Sequence, residues 1–121
     1  MRALRIVVAS ADAERLRGAL VMAAAQAALG GAAAVFLQMD AVALLRAPMA
    51  APQDEAHRMA GLPTLAMLVE EALALGVALT ACQSGLALSG LTVADLPPGV
   101  EVGGPIAFLQ ATDDQARLLF A

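Results

Sequence analysis

Two stretches of the chain, residues 18–39 and 72–94, each run for more than twenty residues without a charged side chain. About 20 apolar residues suffice to cross a bilayer, so such a chain either spans a membrane or builds an unusually apolar core. The details favour the core. The first stretch carries Gly30-Gly31 in its middle and is mostly alanine, which is barely hydrophobic. The second contains Gly76, Thr80, Gln83, Ser84, Gly85, Ser89 and Gly90. Each stretch switches midway between helix-like and strand-like character. At the start, Met1-Arg2-Ala3-Leu4-Arg5 leads only a short apolar run before Asp12 and Glu14, which is not the pattern of a signal peptide. A cytoplasmic protein without a membrane span is expected.

The 121 residues fit one domain, 1–121. Sixty per cent are apolar, about a quarter are alanine, and there is no Trp, Tyr or Lys. Disorder is excluded by that apolar content. A net charge of −4 with seven scattered arginines argues against a nucleic-acid-binding face. A single cysteine rules out an internal disulfide and a cysteine-rich zinc site.

Leu4–Ala9 is short, β-branched and almost continuously apolar, the mark of a strand buried on both faces of a parallel sheet. Ser10 or Asp12 caps a helix running to about Leu29, with Leu16, Leu20, Ala24 and Ala27 on one face. Beyond Arg17 that helix has no charge on any side. Such helices are normally buried, so its second half is expected to lie under another subunit. Ala33–Leu37 reads as a second strand, and 38–45 as a short connection with a helical turn. Arg46–Pro63, polar and containing three prolines, reads as a long loop or lid with about one turn of helix. A helix from 63–64 to about Leu75 follows, with Glu70 and Glu71 in water. Then come a strand over Val77–Ala81, a helix from Ser84 to about Leu91 and a short strand over Val100–Val102. A helix through about Ala111 and a last strand over Arg117–Phe120 complete the chain. This alternation predicts a three-layer α/β/α fold with a mostly parallel five-stranded sheet.

Sites in such sheets lie beyond the carboxyl ends of the strands. Ser10, Gln38–Val42, Ala81–Gly85 and Gly103-Gly104 fall there. Cys82 is the most informative of them. At a strand-to-helix junction, backbone N–H groups favour the thiolate. Gln83 and Ser84 add hydrogen-bond donors, and Gly85 permits close approach of another chain or ligand. These features suit a nucleophile. The competing reading is a packed structural cysteine, since free Cys is among the most buried residue types. Asp40, on the same rim, either holds its loop through backbone N–H groups or lines a site. His57, the only histidine, reads as a solvated loop residue. No Walker pattern or Gly-x-Gly-x-x-Gly points to a nucleotide, and one His with one Cys gives little basis for a metal. Neither cofactor nor metal is expected.

The ordered features also resemble the DsrE/DsrF-like sulfur-relay family, which includes the TusB, TusC and TusD subunits. The resemblance rests on the opening strand with Ser10, the helix ending in Gly30-Gly31, and Phe36 leading into Asp40-Ala41-Val42. It continues through Gly61-Leu62-Pro63, Glu71 to Gly76-Val77, Ala81-Cys82, Gly90-Leu91, Val100–Gly104 and Phe120. Ala41 stands where the family often has Gly, and residues 46–62 match no family pattern. The resemblance implies trimers or hexamers, homomeric or assembled with paralogues. It also implies a cysteine at position 82 that carries sulfur as a persulfide.

Two functions follow. In the first, the chain is a sulfur carrier or sulfurtransferase subunit. Cys82 takes sulfane sulfur from a persulfide donor protein and passes it to an acceptor thiol, with Gln83, Ser84, Gly85, Ser10 and Asp40 around the substrate. In the second, it is a non-catalytic oligomeric scaffold or small-ligand binding protein with a silent Cys82.

Overall fold

The computed structural model describes residues 1–121. Strand β1 (Leu4–Val8) leads into helix α1 (Ala13–Ala28), followed by β2 (Ala33–Leu37) and a 3-10 helix over Met39–Leu45. Two helices come next, α2 (Asp54–Met59) and α3 (Leu65–Ala74). Then β3 (Ala78–Cys82) runs directly into α4 (Gln83–Ser89). A 3-10 turn over Val93–Asp95, β4 (Glu101–Gly103), α5 (Pro105–Gln110) and β5 (Arg117–Phe120) complete the chain.

The five strands form one sheet in the order β4-β3-β2-β1-β5. Every neighbouring pair is parallel, so the sheet is wholly rather than mostly parallel. Helices lie on both sides, as the three-layer reading requires. Side chains alternate between the faces of a strand. Ile6, Val8, Val35, Leu37, Leu79 and Ala81 therefore share one face, all buried; α1 packs on β1 and β2, and α3 packs against α1. On the other face Phe36 stacks on Phe108 of α5, ring centroids 4.9 Å apart. No helix is long and apolar enough to cross a membrane.

Local chemistry sets the element ends. Asp12, not Ser10, caps α1: its carboxylate accepts from the N–H groups of Glu14 at 2.9 Å and Arg15 at 3.2 Å. Gly30, at φ 88°, turns the chain out of that helix. Strand β3 begins one residue later than its sequence suggests, because the Val77 N–H closes the end of α3 on the Ala72 carbonyl at 2.9 Å. Likewise the Val100 N–H is spent on Pro97 at 3.2 Å, and β4 starts at Glu101.

The second half of α1 divides between two environments. Ala23, Ala24 and Gln26 are buried by the chain itself, while Val21 and Met22 face outward. The buried Gln26 amide donates to the carbonyls of Arg2 and Ala32, which satisfies it inside the apolar layer. An exposed apolar surface continues beyond α1. All four residues of β5 are exposed, Phe120 by 70%, and so are Ile106 and Leu109 of α5.

Candidate functional site

The ladder brings Leu37 opposite Ala81. The chain therefore leaves β2 and β3 side by side, and Gln38-Met39 and Cys82 cross the carboxyl rim together. Met39 then takes φ 52°, the one positive φ outside glycine, a conformation that non-glycine residues adopt rarely. This bend turns the 3-10 helix toward α4. Gly85 receives it: a Cβ there would overlap the Met39 carbonyl oxygen and the Val42 side chain. The two segments thus meet backbone to backbone, and only glycine leaves the room.

Cys82 lies in this contact, 3% exposed, as the last residue of β3 and the N-cap of α4. Burial pushes its thiol up. The backbone N–H groups of Met39, Gly85 and Ser84 and the Ser84 hydroxyl, all close to the sulfur, pull it down and prevail. The net result is a thiol more acidic than an ordinary cysteine, because donors converge on the charged form.

The other expected residues distribute around this centre. Ser84 and Gly85 touch it directly. Gln83 is exposed beside it, its Oε1 4.0 Å from where a Cβ on Gly104 would stand. Ser10 is half-buried at the end of β1 and makes no side-chain hydrogen bond. Asp40 opens the 3-10 helix with its carboxylate in water. It accepts no backbone N–H, so the loop-holding role considered for it is not present; Met39 and Gly85 supply that rigidity instead.

His57 is not a free loop residue. Its Nε2 lies 2.8 Å from Glu14 Oε1. It belongs to a network centred on Arg17, which is 5% exposed. The guanidinium bonds Glu14 at 2.9 Å, the Pro63 carbonyl at 3.1 Å and Asp54 at 3.0 Å. Asp54 in turn accepts from the N–H groups of Ala51 at 3.0 Å and Leu65 at 2.9 Å. Burial raises the Asp54 carboxyl; those N–H groups and Arg17 lower it by more. The segment expected as a long loop or lid with about one turn of helix is therefore strapped to α1 through polar contacts. Helix α2, at its centre, buries no residue.

Sequence reasoning placed Gln38–Val42 at the rim without singling out Met39, and it missed Arg17. Glu14 and Arg17, three apart on one helix, carried a legible signal for an ion pair. Met39 carried none, since it acts through its backbone.

Comparison with known proteins places this arrangement. The DsrE/DsrF-like family model matches residues 2–120. The crystal structure of the ychN protein from E. coli superposes with a TM-score of 0.76 at 20% identity, covering 100% of both chains. The protein of unknown function MTH1491 from Methanobacterium thermoautotrophicum gives 0.74 at 18% identity, again over 100% of both chains. At these identities the two likenesses speak for the fold. No curated protein matches. The fold, the order of elements and the match over nearly the whole length assign the chain to the DsrE/DsrF-like family, which is associated in general with sulfur relay.

Proposed function

We propose that the protein is a cytoplasmic sulfur carrier that holds sulfane sulfur as a persulfide on Cys82. The observation that carries this reading is the place of Cys82 at the N-cap of α4, where Gly85 lets the Met39 backbone close on that helix beside the thiol; the N–H and hydroxyl groups gathered there make the thiol more acidic. Thiol exchange proceeds through the thiolate, and these donors favour it. The Cys82 thiolate attacks the outer sulfur of a donor persulfide, the donor S–S bond breaks, and the donor leaves as its thiolate. An acceptor thiolate then takes the outer sulfur from Cys82 in the same way. The donors that hold the thiolate are also suited to a persulfide anion.

The near-complete burial of Cys82 favours a second reading, a silent packed cysteine in a scaffold or small-ligand binding protein. Intact-mass spectrometry after incubation with a persulfide or polysulfide donor separates the two. A reductant-sensitive gain of sulfur that is absent in Cys82→Ser supports the carrier. No adduct on folded protein leaves the scaffold.

The carrier is a homotrimer or homohexamer, or pairs with paralogues, and meets its donor and acceptor proteins in that form. Support comes from the outward residues of α1, α5 and β5, where Met22, Leu109, Leu119 and Phe120 are exposed. Clustered exposed apolar side chains mark interaction surfaces. A monomer in sedimentation at micromolar concentration refutes the assembly.

A further inference from the structure

The second face of the sheet is only partly roofed. Phe108 of α5 covers Phe36, but beside it a cavity of about 290 Å³ opens over Ala34 and Ala78 and reaches Thr80 and Glu101. That volume stands at the lower end of small-ligand sites. Its floor is alanine and its upper wall is Gly103-Gly104, so no large side chain fills it.

The polar groups around the cavity are distinctive. Arg5 is half-buried, with its guanidinium stacked 4.1 Å from the Phe108 ring centroid. It donates through Nε to Thr112 at 2.6 Å and through Nη2 to the Phe108 carbonyl at 3.0 Å. It is therefore rigid, yet none of the chain's ion pairs includes it. Asp113 eases its burial only from a distance. A fixed guanidinium fork without a carboxylate suits an incoming carboxylate. Glu101, exposed at the opposite side, is also without an ion pair. Thr80, between them, makes no side-chain hydrogen bond.

The ladder gives the span. Arg5 pairs with Ala34, Ala34 with Ala78, and Thr80 with Glu101. Three strand spacings and a two-residue offset put the Cα atoms of Arg5 and Glu101 about 16 Å apart. The two side chains shorten that gap to the length of a short peptide. Cys82 follows Thr80 by two residues, on the same side of β3, and pairs with Gly103 of the cavity wall.

We infer that this cavity binds a short zwitterionic peptide thiol, its carboxylate on Arg5, its ammonium beside Glu101 and its middle residue over Thr80 toward Cys82. The inference rests on the carrier reading for its purpose: the bound molecule, as its persulfide, is a sulfur donor. The Cys82 thiolate then attacks the terminal sulfur, the peptide S–S bond breaks, and the peptide leaves as its thiolate with no external oxidant or reductant.

The test is an amide NMR titration of the Cys82→Ser protein with reduced glutathione, which separates binding from sulfur chemistry. Saturable shifts at Thr80, Gly103 and Gly104 are expected. The glutathione diester, lacking free carboxylates, binds about tenfold more weakly, as does reduced glutathione to the protein carrying Arg5→Gln. Glu101→Gln costs about threefold, as for an exposed pair. Should Arg5→Gln fail to fold, the diester and Glu101→Gln decide the matter. No saturable shift, or equal affinity for the diester, overturns the site. Loading of wild-type Cys82 by glutathione persulfide is measured separately. Loading without binding in the titration refutes the cavity alone. Binding without loading upholds the cavity and refutes the carrier reading.

Discussion

Replacing Gly85 with alanine tests how the Cys82 thiol is held. The added Cβ would overlap the Met39 carbonyl oxygen and Val42. The oxygen is backbone and cannot swing aside as a flexible side chain would, so α4 and the 3-10 helix must separate. Overpacking of this kind costs about 1–3 kcal/mol. The larger consequence falls on the sulfur. Met39 reaches it only because the two segments touch, and a hydrogen bond to a charged acceptor contributes about 1.5–3 kcal/mol. Losing that donor raises the thiol and reduces the thiolate population at a fixed pH near neutrality. Thiolate ultraviolet absorbance followed against pH reads this directly, without requiring a reagent to reach a buried sulfur. Urea unfolding reads the stability term. Gly85→Ala is expected to titrate at higher pH than wild type and to unfold at lower urea. A variant that matches wild type in both would refute the reasoning, since the contact would then constrain nothing.

Other expectations follow from the same contacts. Arg17→Met, which keeps most of the apolar stem, lowers stability by about 2–4 kcal/mol in urea unfolding by leaving Asp54 without its cation; equal stability would show the network to be ornamental. Glu14, held below the ordinary carboxyl range by His57 and then Arg17, and Asp54, held low by its N–H donors and Arg17 against burial, both stabilise the native state above their unfolded pKa values. That contribution is lost as pH falls through their native values. Limited proteolysis within residues 46–63 should therefore accelerate in mild acid before the sheet unfolds, and uniform protection down to global unfolding would contradict it. For Cys82 the native thiol is the more acidic one, so the unfolded state binds more protons between the two pKa values. The stability of wild type relative to Cys82→Ser must then rise with pH across that window, as paired urea titrations can read. Phe36→Ala, at a fully packed position stacked on Phe108, costs about 3–5 kcal/mol in the same assay.

The sheet was legible because parallel strands must be apolar on both faces. Leu4–Val8 and Ala33–Leu37 carry that mark in their own residues, and the helices announce themselves through Asp12, Thr64 and the glycines after them. The place of Cys82 was legible too, because the β3 strand pattern ends there and a helix follows. What surrounds it was legible only in part. Ser84 and Gly85 are its sequence neighbours, and their donors follow from helix geometry. Met39 lies far back along the chain and contributes a backbone group, which any side chain presents alike. The segment 46–63 is the loop with one short helix that its sequence suggests, but its anchoring was not legible. Arg17, buried in the helix before it, draws in Asp54 and the Pro63 carbonyl, and nothing in the segment's own residues announces that partner. The expected cover over the second half of α1 is half answered by the chain's own sheet, since Ala23, Ala24 and Gln26 are already buried.

The donors around Cys82 come from two segments on the carboxyl rim of the sheet, one after β2 and one after β3, and only the pairing of those strands unites them. A nascent or misfolded chain therefore carries an ordinary cysteine, protonated for the most part at neutral pH and slow to accept sulfur. If the protein carries sulfur as proposed, loading would act as its own quality control: molecules that have closed the sheet would take cargo, and the others would be passed over. That selection would lie in the fold itself, because the closed sheet and the acidified thiol are assembled by the same event.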